Sequence, residues 1–245
     1  MSRWKAGAIH FSISLVVFLG LLSIILLLWY PGILFTVGGG WAGLQIVFAV
    51  DLILGPLLTL VVFKAGKPGL KFDLSCIAIF QVACMTAGMG IVYGERPIAL
   101  VLAYDTFYLL DTEELVQYER DPELLKSIPG SYPKLIYVEL PEGEIASDTA
   151  YLRSQFIGDP LYIQTENYRP FPDSASEIES VFRKEDSAKQ SATEDVLNQL
   201  DESCLLSKYV SAVASGFVCF DVESRKLTQF YRTEVAPALV VGEGG

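Results

Sequence analysis

Three long apolar runs occupy residues 1–93, whereas polar residues are frequent in the rest of the chain. The runs extend over about residues 8–30, 41–63 and 73–93. Each is close to the ~20 residues that a helix needs to cross about 30 Å of hydrocarbon. Backbone groups in lipid must hydrogen-bond within their own segment, so the runs predict helices rather than strands. The sequence therefore predicts a three-helix transmembrane anchor over residues 1–93.

Shorter apolar runs follow, separated by turn-forming residues, and they predict a soluble domain over residues 94–237. Strands are predicted at residues 98–104, 107–110, 135–140, 216–222 and 227–231. Helices are predicted at residues 122–127, 148–156 and 177–200. The resulting fold class is a membrane protein with three N-terminal transmembrane helices followed by a soluble α+β domain. Residues 238–245 are expected to form a flexible tail.

Lysine and arginine predict the orientation of the anchor. Arg3 and Lys5 precede the first run, and Lys64, Lys67 and Lys71 lie between the second and third runs. The loop over residues 31–40 has no charge. Because basic residues accumulate in cytoplasmic loops, the N-terminus is expected in the cytoplasm. The C-terminal domain is then expected to be periplasmic, in a multi-pass protein of a bacterial inner membrane.

Charge divides the chain in the same way. Residues 94–245 contain 13 basic and 27 acidic side chains, and the whole chain has a formal net charge of −11. Nucleic acid is an improbable partner for such a domain, because its phosphates require clustered Lys and Arg. Anionic lipid headgroups would repel it as well. A protein partner or a small ligand is therefore expected.

Catalytic and cofactor motifs are missing from the sequence. The single histidine is His10, in the first apolar run, so the soluble domain has no Ser-His or Cys-His pair and no imidazole ligand for a metal. Phosphate-binding, dinucleotide-binding and zinc-protease motifs do not occur either. We therefore expect no enzymatic activity, no cofactor and no bound metal.

Asp51 is the most informative polar residue, because it lies about halfway along the second run. An ionisable side chain costs at least ~2.5–3.5 kcal/mol at that depth on insertion scales. Gln81, near the middle of the third run, is a candidate hydrogen-bond partner for it. Two interpretations remain open. Asp51 is satisfied inside the anchor, or it contacts a polar or cationic group on a partner's membrane helix.

A proline and several small residues predict how the helices pack. Pro56 removes a backbone donor and predicts a kink in the second helix, with Gly55 leaving room for a neighbour. Ala83, Ala87 and Gly90 line one face of the third run. Small residues allow close helix contact in lipid, so this face is predicted to pack against another helix.

Two further groups of residues yield local predictions. Trp29, Tyr30 and Pro31 close the first run, at the depth where aromatic rings favour the membrane interface. Cys204 and Cys219 lie in the domain expected outside the cytoplasm, where disulfides form. A bridge between them would enclose about 15 residues and contribute up to ~3 kcal/mol, but the sequence leaves the pairing open.

The membrane half resembles the TfpX/TfpZ family of type IV pilin accessory proteins over about residues 5–110. The resemblance implies a non-enzymatic, chaperone-like helper that promotes assembly of a cognate type IV pilin. Its implied partners are that pilin and inner-membrane pilus assembly proteins. Where the family has Asp-Arg-Phe after the third span, this chain has Asp105-Thr106-Phe107. The matching stretches are Lys5-Ala6, Ile9-His10, Trp29-Tyr30-Pro31, Gly38-Gly39, residues 50–60, Val62-Phe63-Lys64, Asp73-Leu74, Gln81 and Arg96-Pro97.

The main alternative is a membrane-anchored periplasmic sensor or ligand-binding protein. Such a protein needs a cytoplasmic output module, whereas the predicted cytoplasmic parts are a short N-terminus and the loop over residues 64–72. An intramembrane enzyme would need a second acid or a nucleophile near Asp51. A pilin would have one span and a short basic leader, so three spans argue against it.

Overall fold

A computed structural model of the chain describes residues 2–182, 185–201 and 204–232. The chain divides into two compact units, Met1–Arg96 and Pro97–Gly245, which we call the helical unit and the sheet unit. Three long apolar helices precede a sheet-containing α+β unit, which confirms the predicted fold class. The predicted flexible tail, residues 238–245, lies outside the described residues.

The helical unit contains three segments long and apolar enough to cross a membrane, Arg3–Trp29, Gly43–Val62 and Leu70–Gly94. The first segment begins before the predicted residue 8 because the Ser2 hydroxyl caps it, accepting from the Lys5 N–H at 3.3 Å. The helices are α1 (Arg3–Ile24), a π-helical continuation (Ile25–Trp29), α2 (Leu34–Val37), α3 (Gly40–Phe48), a second π-helical stretch (Ala49–Leu54), α4 (Gly55–Val62) and α5 (Leu70–Gly94).

The second π-helical stretch immediately precedes Pro56. The Gly55 N–H donates to the carbonyl of Val50, five residues back rather than four. Pro56 has no N–H, and its ring crowds the carbonyl four residues earlier. Widening the turn relieves that crowding, so the irregularity expected at Gly55 and Pro56 takes the form of a π-helical turn.

The helical unit exposes much of its apolar surface. Val16, Leu27 and Val61 are each more than two-thirds exposed, although they lie in the middle or near the ends of membrane-length helices. In water such a surface would be unstable, whereas lipid tails cover it without cost. The exposed surface therefore agrees with the assignment of these helices to a membrane.

A seven-stranded mixed sheet organises the sheet unit, with strand order β4-β3-β1-β2-β5-β6-β7. β1 pairs in parallel with β3, and β2 pairs in parallel with β5, while the other neighbours are antiparallel. The sequence predicted five of these strands and missed β4 and β5. The strands are β1 (Ala99–Ala103), β2 (Thr106–Leu110), β3 (Lys134–Val138), β4 (Tyr168–Pro170), β5 (Cys204–Val210), β6 (Ser215–Asp221) and β7 (Lys226–Arg232).

Short helices connect the strands. The helix predicted over residues 177–200 is wrong as a single element, because Thr193 caps a new helix after a break. The observed elements are α6 (Thr112–Gln117), α7 (Glu144–Leu152) with a π-helical continuation (Arg153–Ile157), α8 (Ala175–Val181), α9 (Glu185–Ser191), α10 (Glu194–Leu197), and 3-10 turns at Pro122–Ser127, Leu161–Ile163 and Thr165–Asn167.

Both faces of the sheet are covered, since every residue of β1 is buried. One face packs against Leu115, Leu125 and Ile163 from the connecting helices. The opposite face carries a group of four phenylalanine rings whose contacting centroids are 5.1–6.2 Å apart. These are Phe107, Phe171, Phe182 and Phe220. Such tilted and stacked ring pairs make this group a major part of the core.

Candidate functional site

Five polar side chains lie inside the otherwise apolar helical unit. Four of them are buried, and His10 is half-buried. They come from all three membrane-length segments. Polar groups at membrane depth are costly and usually functional, so their concentration defines the candidate site. We call this set the polar cluster: His10, Ser14, Asp51, Thr59 and Gln81.

Asp51 lies on the π-helical turn before Pro56 and is 5% exposed. Its Oδ2 atom is fully buried and accepts no hydrogen bond from the described residues. His10 is close enough to interact with the carboxyl electrostatically. Asp51 thus faces the interior of its own helical unit, but its Oδ2 atom is not satisfied there by the described residues. Both interpretations left open by the sequence therefore stay predictions.

A hydrogen bond between His10 and Thr59 connects the first and second membrane segments, with 2.5 Å between Nδ1 and Oγ1. Gly7, one turn earlier, makes the approach close, because a Cβ there would lie 2.7 Å from the Leu60 side chain. Sequence reasoning did not assign His10 a role. The signal was available, because antiparallel packing brings a residue near the start of one span to the depth of a residue near the end of the next.

Gln81 packs against Gly55 rather than pairing with Asp51. A Cβ on Gly55 would lie 2.0 Å from Gln81 Nε2, so only glycine leaves room for the amide in this position. No hydrogen bond joins Gln81 to Asp51 within the part of the chain that the structure describes. The predicted contact between them is therefore wrong in its partner, although Gln81 is buried in the same cluster.

A close helix crossing in the unit involves two other glycines, Gly43 of α3 and Gly88 of α5. A Cβ on Gly43 would lie 2.3 Å from Val92 Cγ2 and 3.3 Å from the Gly88 carbonyl oxygen. A Cβ on Gly88 would lie 2.7 Å from Val47 Cγ2. A larger side chain at either position would therefore displace a valine of the facing helix, and at Gly43 it would also crowd the Gly88 backbone.

The small-residue face predicted on the third span does not pack within the unit. Ala83 and Ala87 are exposed, and nothing lies within 4 Å of the position of a Cβ on Gly90. The residues of α5 that face the other helices are Ile77, Gln81, Gly88 and Val92. The predicted packing of this face against another helix stays a prediction, because its exposed small residues remain open to a helix outside the unit.

Aromatic rings close one end of the helical unit. Tyr30 is fully buried, and its hydroxyl donates to the Val92 carbonyl at 2.9 Å. Tyr30 therefore ties the end of the first segment to α5, and its position at the membrane interface stays a prediction. Trp29 and Pro31 are partly exposed, and the Trp29 ring meets that of Tyr93 edge-on at 5.0 Å.

In the sheet unit, a carboxyl group lies among tyrosines. Burial, with a smaller contribution from the neighbouring Asp111 carboxyl, raises the pKa of Glu114 to about 7, while a hydrogen bond with Tyr162 opposes the shift. The Tyr162 ring stacks on Tyr108 with centroids 3.9 Å apart. Burial raises the pKa of Tyr162 as well. Glu114 can therefore hold a proton close to neutral pH.

A disulfide joins Cys204 on β5 to Cys219 on β6, with Cα atoms 5.3 Å apart. The two residues lie on adjacent antiparallel strands, near the register pair Leu206 and Cys219. β5 was not predicted as a strand, so the sequence could not place the two cysteines side by side. Cys76 and Cys84 are free.

Fold and site together define a membrane-anchored α+β protein with a buried polar cluster in its helical unit. No family model matches the chain. No solved structure matches it either.

Relatives are nevertheless found among characterised proteins of Dichelobacter nodosus. The chain is 30% identical to the fimbrial assembly protein of serogroups C1 and C2 over 115 residues, which cover 46% of this chain and 87% of that protein. It is also 30% identical over 133 residues to the fimbrial assembly proteins of serogroups E1 and I, which covers 53% of this chain. The match spans about half the length of those two relatives, 48% of each. The chain belongs to this family of fimbrial assembly proteins.

Enlarging Gly88 should destabilise the helical unit, because a side chain there would collide with Val47 of α3. We expect Gly88→Leu to cost about 1–3 kcal/mol, the usual range for an overpacked contact. The matched control is Gly90→Leu on the same helix, where a side chain meets open space. Thermal unfolding of the full chain in detergent would measure both. Equal midpoints for the two variants would contradict the assigned crossing.

Stability of the sheet unit should fall as pH rises from about 4.5 to 7, because the folded chain keeps the Glu114 proton that the unfolded chain releases. The stabilisation is complete below the unfolded pKa of 4.5 and is lost as pH passes the folded value of about 7. Glu114→Gln, which remains neutral, should reduce this dependence and add about 2–3 kcal/mol at pH 8. Denaturant unfolding at several pH values would measure it, with Glu113→Gln on the exposed side of the same helix as the control. A pH profile that Glu114→Gln leaves unchanged would contradict this assignment.

Proposed function

We propose that this chain is a non-enzymatic accessory protein, of the kind represented by the TfpX/TfpZ family, that promotes assembly or stability of a cognate type IV pilin at the bacterial inner membrane. The observation that carries the proposal is the relationship to fimbrial assembly proteins, one of which aligns over 87% of its length. That relationship supports a role in pilus biogenesis. The pilin partner and the chaperone-like action are the proposed refinement.

The arrangement of charges supports a periplasmic sheet unit. Arg3 and Lys5 lie at the start of α1, while Lys64, Lys67 and Lys71 lie at or near the turn between α4 and α5. Both groups belong on the cytoplasmic side by the positive-inside rule. α5 then leaves the membrane on the opposite side, and the sheet unit follows it. A disulfide in that unit agrees with an oxidising compartment such as the periplasm.

The proposed action is physical rather than chemical. Fimbrial subunits awaiting assembly expose surfaces that will later be buried between subunits, and a membrane-bound helper can shield or orient those surfaces. The helical unit supplies a rigid anchor, because glycine crossings and the polar cluster fix the positions of its helices. The sheet unit supplies the contact surface. No step in this action needs a nucleophile or a metal.

An alkaline phosphatase fused after Gly245 should be active, because the enzyme requires export to form its disulfides. A fusion within the loop over residues 64–72 should be inactive and serves as the matched control. Activity assays on intact cells, normalised to fusion protein levels, would distinguish the two orientations. The reverse pattern would eliminate the periplasmic assignment and the pilin contact with it.

Deleting the gene should strongly reduce surface pili, with the subunit unassembled or degraded in the cell. Electron microscopy of the cells and immunoblotting of sheared pili would measure this outcome. Expression of the wild-type chain or of Gly90→Leu should restore piliation, whereas Gly88→Leu should restore it less. Normal piliation and normal subunit levels in the deletion strain would refute the proposed function.

A further inference from the structure

One helix of the sheet unit presents its large apolar side chains to solvent. Over α7 and its π-helical continuation, four such residues are 54–85% exposed, while Ala150 is the residue that is buried. A helix on the surface of a soluble unit normally buries its apolar side. This helix leaves its large apolar side chains exposed together with polar ones such as Asp148 and Gln155. We call the four exposed side chains the apolar stripe: Ile145, Leu152, Phe156 and Ile157.

The four side chains lie on one side of the helix. Leu152, Phe156 and Ile157 are contiguous at its C-terminal end, and Ile145 lies two turns before Leu152, with the exposed polar residues Asp148 and Thr149 between them. Phe156 and Ile157 lie in the π-helical turn and are 81% and 73% exposed. π-helical turns are frequent at functional sites. Single exposed apolar residues are ordinary, but a contiguous set marks an interaction surface.

Ion pairs attach α7 and its π-helical continuation to the rest of the sheet unit. Arg153, in the π-helical turn, pairs with Asp159 and with Glu166, the latter at 2.7 Å. Arg120 also binds Asp159, at 2.9 Å. The Gln164 amide donates to a carbonyl of α7 at 3.0 Å and to that of Asp159 at 2.9 Å. The helix is thus held by these polar contacts together with the buried Ala150, none of which involves the exposed side chains of the stripe.

Charge around the stripe selects among partners. Glu142 and Asp148 are exposed beside it, whereas the nearby cation Arg153 is already paired with two carboxylates. The free charge at the margin is therefore negative. Anionic lipid headgroups would be repelled. A second copy of the chain would bring a second acidic margin to the contact. A protein surface with an apolar centre and lysine or arginine around it fits best.

We propose that the apolar stripe is the surface on which the sheet unit binds the exported part of the fimbrial subunit, through an apolar patch of that subunit bordered by basic residues. This inference rests on the proposed function, because it identifies the contact surface for the same partner. Phe156 is the central anchor, since large aromatic side chains dominate binding energy at interfaces. The acidic margin sets orientation and the rate of association.

Site-specific photo-crosslinking in the piliated cell would test the surface. A photoreactive phenylalanine analogue at Phe156 of the full chain should crosslink to the fimbrial subunit. The same analogue at Val213, which is 44% exposed in the turn between β5 and β6, is the matched control and should not. Crosslinks from Phe156 to lipid alone, or to a second copy of the chain, would overturn the proposal.

Co-purification would separate failure of this inference from failure of the proposed function. The double variant Phe156→Ser, Ile157→Ser should recover about tenfold less subunit than the wild type, as expected for loss of a central anchor. Val213→Ser should recover it normally. If the double variant retains full recovery, the stripe is not the contact surface and the proposed function stands. If the wild-type chain recovers no subunit, the proposed function falls and this inference with it.

The acidic margin of the stripe, Glu142 and Asp148, provides a second, independent readout. Asp148→Lys should reduce recovery of the subunit, and the difference from the wild type should shrink as salt concentration rises. Phe156, Ile157 and Asp148 are all exposed, so their substitution should leave the fold intact. Unchanged resistance to protease would verify this. Stronger recovery by Asp148→Lys would overturn the assignment of a basic partner surface.

Discussion

The helical unit depends on hiding polar side chains from lipid. Apolar residues do not decide how three helices pack in a membrane, because a leucine gains little by moving from lipid to protein. Polar groups and close backbone contacts do decide it. Asp51, Thr59 and Gln81 are buried only when all three segments come together, and the hydrogen bond from His10 to Thr59 connects two of them. The crossing of Gly43 and Gly88 then fixes the distance between the second and third segments.

The sheet unit, in contrast, depends on removing apolar side chains from water. Its core consists of apolar side chains excluded from water, with four phenylalanine rings on one face and aliphatic side chains on the other. A buried carboxyl is tolerated there only in its neutral form, which is why the pKa of Glu114 is raised to about 7. In this unit an apolar residue stabilises the fold only where it is buried, whereas in the helical unit lipid can cover the apolar residues that the protein leaves exposed.

The sequence predicted the spans well because length and hydropathy alone select helices in lipid. It predicted contacts between the spans poorly. Small residues occur on several sides of α5, and only the three-dimensional crossing shows that Gly88 packs while Ala83 and Ala87 are exposed. Tyr30 was assigned to the interface from its position in the sequence, but that position does not reveal that its hydroxyl donates to the Val92 carbonyl of α5. In the sheet unit, β5 was missed because Ser207 and Lys208 interrupt its apolar pattern, although Ser207 is buried, paired with Val218 on β6 and donating its hydroxyl to the Asp105 carbonyl.

Apolar surface has a different meaning in the two units, and this difference is the reason for proposing a partner at the apolar stripe. Apolar exposure on α1 or α5 is neutral, since lipid covers it. Ile145 and Phe156 remain in water after folding and so contribute no burial to stability, while their helix is held by other contacts, among them those of Arg153 with two carboxylates. Burial of these side chains by a partner would supply the free energy that folding leaves unused. A helper that binds a subunit and later releases it needs a ready surface of limited size rather than a large obligate interface.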